Sequence, residues 1–189
     1  MNTDEVSAAI LAGGSSSRMG RDKALLELNG QTLLSIQVSR LRRAGVPDIM
    51  ISGTDHPFPG ARNIADETPH QGPLGGICAC MKAARFPALL VLSVDVPLIA
   101  EETIRGLIAS HEGGITVLEH AGRPEPLIAV YDCALAEEAE RILRSDKRAV
   151  MRLFDTKDVK RYAYQGDERL LAGCNTPEEY TRILASYQP

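Results

Sequence analysis

Short apolar runs alternate with amphipathic stretches along most of this chain. The continuous apolar run at residues 88–93 predicts a strand buried on both faces, as is typical of a parallel sheet covered by helices. Further apolar runs predict additional strands, at residues 7–11, 48–52, 62–65, 115–119, 127–131 and 159–164. Because the connection at residues 120–126 is rich in Gly and Pro, we expect the strand after it to form a hairpin-like edge.

Helical spacing of apolar positions predicts amphipathic helices between these strands. The predicted ranges are residues 32–43, 75–84, 101–110 and 134–144, with a short helix at 149–154. The helix near the C-terminus carries the clearest start signals. Thr176 is a candidate N-cap, Pro177 suits the first helical position, and Glu179 completes a capping box.

The alternation of strands and helices predicts an α/β fold. We expect a single-domain, Rossmann-like, mostly parallel sheet with helices on both faces, spanning residues 1–189. A chain of 189 residues fits one domain with a sizeable core. Because ligands of such sheets bind at the carboxyl ends of the strands, the residues that follow the predicted strands are the first candidates for a site.

Charge and cysteine content narrow the function classes. The formal net charge of −4 argues against nucleic-acid binding, which relies on basic surfaces. No apolar run approaches the length of a membrane span, and the acidic start at residues 1–5 lacks the features of a signal peptide. The four cysteines contain no C-x-x-C pair, which disfavours a zinc site. We therefore expect a cytoplasmic protein with reduced thiols, and neither nucleic acid nor membrane as a partner.

The chemistry is concentrated in residues 9–23, where an apolar strand leads into a loop of small residues and then into cations. Gly13 and Gly14 expose backbone N–H groups without side chains in the way, so an anion can approach closely. Arg18 and Lys23 can add charge-assisted bonds to phosphate oxygens. This pattern predicts a triphosphate site, while a flexible Gly/Ser loop with two solvated cations is the alternative.

The spacing excludes two common phosphate loops. A Walker loop ends in Gly-Lys-Ser/Thr, but Gly20 is followed here by Arg21, and Lys23 by Ala24. A dinucleotide fingerprint needs G-x-G-x-x-G, whereas the glycines here are adjacent, at Gly13 and Gly14. A phosphate-binding loop here would therefore belong to some other class, and the flexible Gly/Ser loop stays open as the alternative.

Two aspartates follow predicted strands. Asp95 comes after the most buried strand and offers a hard oxygen ligand suited to Mg²⁺, although a turn aspartate before Pro97 is an alternative. Asp66 comes after residues 62–65, where its carboxylate could accept from N1–H and the 2-amino group of guanine. An Asx turn is the alternative for Asp66. The loop after the first strand and Asp95 should open onto the same edge of the sheet.

Six motifs, in order along nearly the whole chain, resemble those of the molybdenum cofactor guanylyltransferases, a family of nucleotidyltransferases. They are Leu11-Ala12-Gly13-Gly14, Arg18-Met19-Gly20, Asp22-Lys23, Gly72-Pro73-Leu74-Gly75-Gly76-Ile77, Asp95-Val96-Pro97 and Asn175-Thr176-Pro177. The resemblance implies three catalytic residues, which are Arg18, Lys23 and Asp95, with Asp95 as the Mg²⁺ ligand. It implies a GTP site formed by Leu11, Ala12, Gly13, Gly14, Lys23, Asp66 and Asp95. It places three residues at the acceptor, which are Gly75, Gly76 and Asn175.

The chain departs from the family pattern at two places. In the family an asparagine often ends the strand that precedes the one before Asp66, where this chain has Ser52-Gly53. Some relatives carry a second asparagine two positions before Asn175, where this chain has Gly173. The first departure puts a nucleotide contact in doubt, and the second an acceptor contact.

The resemblance implies transfer of GMP from GTP to the terminal phosphate of molybdopterin or the molybdenum cofactor, with release of pyrophosphate and with Mg²⁺ as cofactor. The alternatives are a cytidylyltransferase for the same cofactor, a sugar-1-phosphate nucleotidyltransferase, or a non-catalytic nucleotide-binding regulatory module. Gly13-Gly14 resembles the GTP users, since CTP users carry Ala-Gly at this point. Proteins of cofactor biosynthesis or molybdoenzyme maturation are compatible partners that the sequence does not identify.

Overall fold

The computed structural model of the chain describes residues 1–13, 23–65, 71–145, 148–156 and 158–186. Within these ranges the strands are β1 Val6–Leu11, β2 Glu27–Leu28, β3 Gln31–Thr32, β4 Asp48–Ser52, β5 Arg62–Ile64, β6 Ala88–Ser93, β7 Ile115–His120, β8 Arg123–Asp132 and β9 Val159–Ala163. The α-helices are α1 Leu33–Ala44, α2 Gly72–Ala83, α3 Glu101–Ala109, α4 Ala136–Leu143 and α5 Pro177–Ser186. Short 3₁₀ turns lie at Thr3–Glu5, Lys23–Leu25, Cys133–Leu135, Val150–Asp155 and Glu168–Leu171.

Seven of the strands form one sheet in the order β5-β4-β1-β6-β8-β7-β9, and β2 pairs with β3 in a separate hairpin. β1 pairs in parallel with β4 and β6, β4 with β5, and β7 with β9. Only β8 runs antiparallel to its neighbours within the described sheet. The predicted α/β fold with a mostly parallel sheet is therefore confirmed.

Helices cover both faces of the sheet, as predicted. Side chains of α1, α3 and α5 pack with Ala8, Ile10 and Leu90 on one face. Side chains of α2 and α4 pack with Ala9 and Leu89 on the other face. This double cover explains why β1 and β6 are buried along their whole length. Among the described residues, no helix has both the length and the apolar character needed to span a membrane.

The predicted edge strand at residues 127–131 is wrong in its position and in its start. β8 begins at Arg123 and lies between β6 and β7, inside the sheet. A tight turn at Ala121 and Gly122, both with positive φ, connects it to β7. Residues 123–127 extend beyond the part of β8 that pairs with β6, so prolines are tolerated there without loss of a bond to β6. The Pro-rich sequence therefore resembled a loop.

The start of α2 also differs from the prediction. The helix begins at Gly72 rather than at Gly75. Gly72 has a φ of +68°, which glycine accommodates readily, and Pro73 follows in the first turn. Because α2 follows β5 and leads back to β6, its N-terminus lies at the carboxyl edge of the parallel strands.

The opposite edge of the sheet is held by a buried aspartate. Asp48 accepts hydrogen bonds from the Ser7 hydroxyl, at 2.7 Å, and from the Arg62 guanidinium, at 2.9 Å. Its second oxygen also accepts from the backbone N–H of Arg85. Burial by itself raises the pKa of Asp48, but the hydrogen bonds outweigh it, so the pKa is lowered from its ordinary value. This network joins β1, β4 and β5 away from the candidate site.

Candidate functional site

Three of the predicted site residues meet at the carboxyl edge of the sheet. The Lys23 ammonium donates to Asn175 Oδ1 at 2.7 Å and to Asp95 Oδ2 at 3.3 Å. The side chains of Lys23 and Asp95 are 20% and 23% exposed, so a ligand from solvent can reach the pair. The structure thus brings together a cation, a carboxylate and an amide that lie far apart along the sequence.

The pairing register of the central strands explains why the site residues lie at this edge of the sheet. Leu11 at the end of β1 is the partner of both Ser52 in β4 and Ser93 in β6. Beyond the strands, the Ala12 N–H donates to the carbonyl of Ser52, and the Val94 N–H donates to the carbonyl of Leu11. The three strand ends therefore stay joined where the chain turns into loops, so the ends of β1 and β6 lie at the same edge of the sheet, as predicted.

Both oxygens of the Asp95 carboxylate have a hydrogen-bond partner that orients the side chain. Its Oδ1 accepts a hydrogen bond from the Ser93 hydroxyl at 2.6 Å, while Oδ2 faces Lys23. The backbone carbonyl of Asp95 accepts from the Cys174 N–H at 2.8 Å. Both the side chain and the main chain of Asp95 are thus fixed by neighbours at the strand end.

Two buried polar residues of α1 hold the loop that carries Asp95, and the sequence reasoning missed them. Gln37 is fully buried, and its amide donates to the carbonyls of Ser93, at 3.3 Å, and Val96, at 2.9 Å. Arg40 is also buried and donates to the carbonyl of Pro97 at 2.6 Å. Polar side chains within the apolar face of α1 were the available signal, because a buried amide or guanidinium needs hydrogen-bond acceptors.

The predicted capping box at the start of α5 is confirmed. Thr176 Oγ1 accepts from the Glu179 N–H at 3.2 Å, and the Glu179 carboxylate accepts from the Thr176 N–H at 3.1 Å. The same carboxylate accepts from the Asn175 N–H at 2.7 Å. This arrangement fixes the backbone of Asn175 directly beside Lys23.

Gly53, which follows Ser52 at the end of β4, has a steric role. Gly53 has a φ of +87°, and a Cβ atom at this position would lie 2.3 Å from the nitrogen and the Cα of Gly13. A Cβ on Gly13 would in turn lie 2.9 Å from the Gly53 Cα. Two glycines therefore allow the loop after β4 to touch the loop after β1, a close approach that a side chain would prevent.

We expect Gly53→Ala to weaken nucleotide binding, because the added methyl group pushes Gly13 out of its position and also strains a left-handed backbone. The strain costs on the order of 1 kcal/mol, and the displacement adds to it. Titration of the variant with GTP checks this. Gly30→Ala is the control, since its φ is also positive but a Cβ there meets no atom within 4 Å. Equal GTP affinities for the two variants would contradict a role of the Gly13–Gly53 approach.

The remaining predicted site residues divide into three groups. Leu11 and Ala12 are buried at the end of β1, and Gly13 follows them. Gly75 and Gly76 are buried in the first turns of α2, and Gly75 also lines a cavity of about 260 Å³ between α2 and α4. Gly14, Arg18 and Asp66 lie outside the described residues.

The single carboxylate of Asp95 suits a metal ion that is bound mainly by phosphate oxygens of a substrate. No group of three or more His, Cys, Asp or Glu side chains that could hold a metal ion occurs among the described residues. Mg²⁺ is commonly bound through one or two carboxylates plus phosphate oxygens and water, so one reachable carboxylate fits this ion. Cys174 is buried beside Asp95, and burial raises the pKa of its thiol, which does not favour a thiolate nucleophile.

Comparison with known proteins shows the family of this chain. The family model described as a MobA-like NTP transferase domain matches residues 8–161. A probable molybdenum cofactor guanylyltransferase from Opitutus terrae is 36% identical over 193 residues, covering 96% of each chain. A molybdenum cofactor guanylyltransferase from Xanthomonas euvesicatoria is 32% identical and covers 93% of this chain and 92% of its own.

The fold is shared with a crystal structure as well. Molybdopterin-guanine dinucleotide biosynthesis protein A from Archaeoglobus fulgidus superposes with a TM-score of 0.79 at 22% identity, over 95% of this chain and 97% of that one. At this identity the likeness shows the fold, whereas the curated relatives show the family. With the family model spanning most of the chain and close relatives covering nearly all of it, this chain belongs to the MobA-like NTP transferase family, together with the molybdenum cofactor guanylyltransferases.

Proposed function

We propose that this protein transfers GMP from GTP to the terminal phosphate of molybdopterin or the molybdenum cofactor and releases pyrophosphate. The observation that carries the proposal is the near full-length relationship to molybdenum cofactor guanylyltransferases. The meeting of Lys23 and Asp95 at the carboxyl edge supports it, because this pair can bind a metal-bound triphosphate. A non-catalytic nucleotide-binding module has no need for such a pair.

The reaction is a displacement at phosphorus. An oxygen of the acceptor phosphate forms a new bond to the α-phosphorus of GTP, and the bond to the β-phosphate oxygen breaks. The acceptor phosphate is mostly dianionic near neutral pH, so no strong general base is required. Catalysis therefore consists of aligning two anions and balancing their charge.

Two side chains supply this charge balance in our proposal. Lys23 stabilises the negative charge that develops on the leaving pyrophosphate, and Arg18 holds phosphate oxygens bidentately. Asp95 is the residue that would hold Mg²⁺, which when bound neutralises the phosphates of GTP. The Ser93 hydroxyl keeps the Asp95 carboxylate oriented toward that position.

The first loop and Asp66 complete the proposed GTP site. Leu11 ends β1, and Ala12, Gly13 and Gly14 follow it in the sequence. Backbone N–H groups of such a loop suit phosphate binding. Asp66 supplies a carboxylate that can pair with the guanine edge and reject cytosine. The Gly13-Gly14 pair, which resembles that of GTP users, favours GTP over CTP for this chain.

The acceptor is proposed to lie between two helix starts. Gly75 and Gly76 belong to the N-terminal half of α2, which begins at the carboxyl edge, and Asn175 precedes α5 at the same edge. The first N–H groups of α2 attract an anion such as the acceptor phosphate.

We propose a reducing cytoplasmic location for this reaction. None of the four cysteines, Cys78, Cys80, Cys133 and Cys174, forms a disulfide, which suits a compartment that keeps thiols reduced. Proteins of cofactor biosynthesis or molybdoenzyme maturation would be the partners that supply the acceptor and take up the product.

Nucleotide titration by calorimetry in the presence of Mg²⁺ tests the proposal directly. We expect GTP to bind at least about tenfold more tightly than CTP, ATP or UTP, because a site built to pair with guanine leaves its polar groups unpaired with other bases. Omitting Mg²⁺ should weaken GTP binding. Preference for CTP would point to a cytidylyltransferase, and failure to bind any nucleotide would overturn the proposed triphosphate site.

A further inference from the structure

The contact between Lys23 and Asn175 points to a role for Asn175 in the nucleotide half of the site. We propose that Asn175 is a positioning residue for Lys23, which holds the ammonium away from Asp95 so that it can face the triphosphate. The resemblance to the family places Asn175 only at the acceptor. The inference rests on the proposed function, because it concerns how GTP is bound.

The two distances around the Lys23 ammonium carry the argument. An unconstrained ammonium–carboxylate bond is usually about 2.7–2.9 Å long. Here the ammonium lies 2.7 Å from the neutral amide oxygen of Asn175 but 3.3 Å from the charged oxygen of Asp95. The amide therefore holds the cation off the carboxylate. An ammonium has three N–H donors, so a phosphate oxygen can accept a bond while Asn175 keeps its own.

The neighbours of Asn175 fix it for this task. On one side the Cys174 N–H donates to the Asp95 carbonyl, and on the other the Asn175 N–H donates to the Glu179 carboxylate. A Cβ on Gly173 would lie 2.6 Å from Asn175 Nδ2, so the glycine leaves room for the amide. Gly173 thus favours the conformation in which Asn175 faces Lys23.

The segment that carries Lys23 is tied to the start of α5 at a second point. The Tyr180 hydroxyl donates to the carbonyl of Glu27 at 2.6 Å, four residues after Lys23. Contacts at Asn175 and Tyr180 therefore join residues 23–27 to the beginning of α5. Because the connection is made by two separate side chains, loss of Asn175 alone leaves the two segments in contact.

The consequence for nucleotide binding follows from charge. Without Asn175, the ammonium is free to close on Asp95 as an ordinary ion pair. That ion pair must then be broken before Asp95 can bind Mg²⁺ and Lys23 can bind a phosphate oxygen. Mg²⁺–GTP therefore binds more weakly. An asparagine that contacts only the acceptor has no such effect when the acceptor is absent.

A double-mutant cycle on GTP binding distinguishes these roles. We would titrate the wild type, Asn175→Ala, Lys23→Ala and the double variant with GTP and Mg²⁺ by calorimetry, without any acceptor. We expect Asn175→Ala to weaken binding about 5–10-fold in the wild type and to change it less than twofold in the Lys23→Ala background. Equal losses in both backgrounds, or no loss in the single variant, would overturn the inference.

Two further variants separate positioning from folding. Thr181→Ala removes a hydroxyl of α5 that donates within its own helix, to the carbonyl of Pro177, and it should leave GTP binding unchanged. Gly173→Ala keeps Asn175 but crowds its amide, and it should reproduce part of the loss. Unchanged GTP binding in Gly173→Ala would count against the inference, while a wild type that does not bind GTP would instead defeat the proposed function.

Discussion

Replacing Asp95 with asparagine is expected to abolish guanylyl transfer. The variant loses the reachable carboxylate beside Lys23, and with it the hard, charged oxygen that suits Mg²⁺. We expect turnover to fall at least about 10³-fold, because the charge of the triphosphate and of the leaving pyrophosphate is no longer balanced. Pyrophosphate release from GTP in the presence of molybdopterin and Mg²⁺ is the measurement.

The Asp95→Asn fold should remain intact, so that the loss can be assigned to chemistry. The amide oxygen of asparagine can still accept from the Ser93 hydroxyl, and the backbone bond to Cys174 is unaffected. Asp132→Asn is the matched control. Asp132 also accepts hydrogen bonds, from Gly114 and His111, but it lies beside Ala88 at the far end of β6. If Asp95→Asn retained magnesium-dependent turnover, the assignment of Asp95 as the metal ligand would be wrong.

The sequence was sufficient to predict which strand ends meet at the candidate site, for a clear physical reason. Buried strands are marked by long apolar runs, and the carboxyl ends of parallel strands must share an edge. Residues 7–11 and 88–93 carry such runs, so the strand ends at Leu11 and Ser93 could be placed at one edge although 82 positions separate them. The start of α5 was equally readable, because a capping box is a local pattern that needs no tertiary information.

Features that depend on tertiary contacts could not be predicted from the sequence. The prolines of β8 resembled a loop because the sequence does not show that residues 123–127 extend beyond β6. From the sequence, Gly53 indicated only the loss of a nucleotide contact, because the close approach of Gly13 is visible only in the structure. Gln37 lay within an apolar helical face, and the carbonyls that it binds belong to the end of β6 and to the loop after it, 56 and 59 positions away.

The second large effect is expected for Lys23→Met, which keeps the length of the side chain and removes its charge. Lys23 is the described cation closest to Asp95, and a leaving pyrophosphate depends on such a charge. We expect turnover to fall about 10²–10³-fold, comparable to the loss of one preorganised donor in other group-transfer enzymes. GTP affinity should also fall, and pyrophosphate release together with calorimetry measures both effects.

Lys82→Met is the matched control for this loss of charge. Lys82 also pairs with a carboxylate, that of Glu140, and is 33% exposed, but it lies in the last turn of α2. It should keep full turnover. Lys23→Arg should recover only part of the activity, because the planar guanidinium cannot reproduce the point charge and donor geometry that Asn175 and Asp95 surround. Equal activity of Lys23→Met and Lys82→Met would show that the cation beside Asp95 does not act on the phosphates, and Arg18 would then have to balance the leaving group alone.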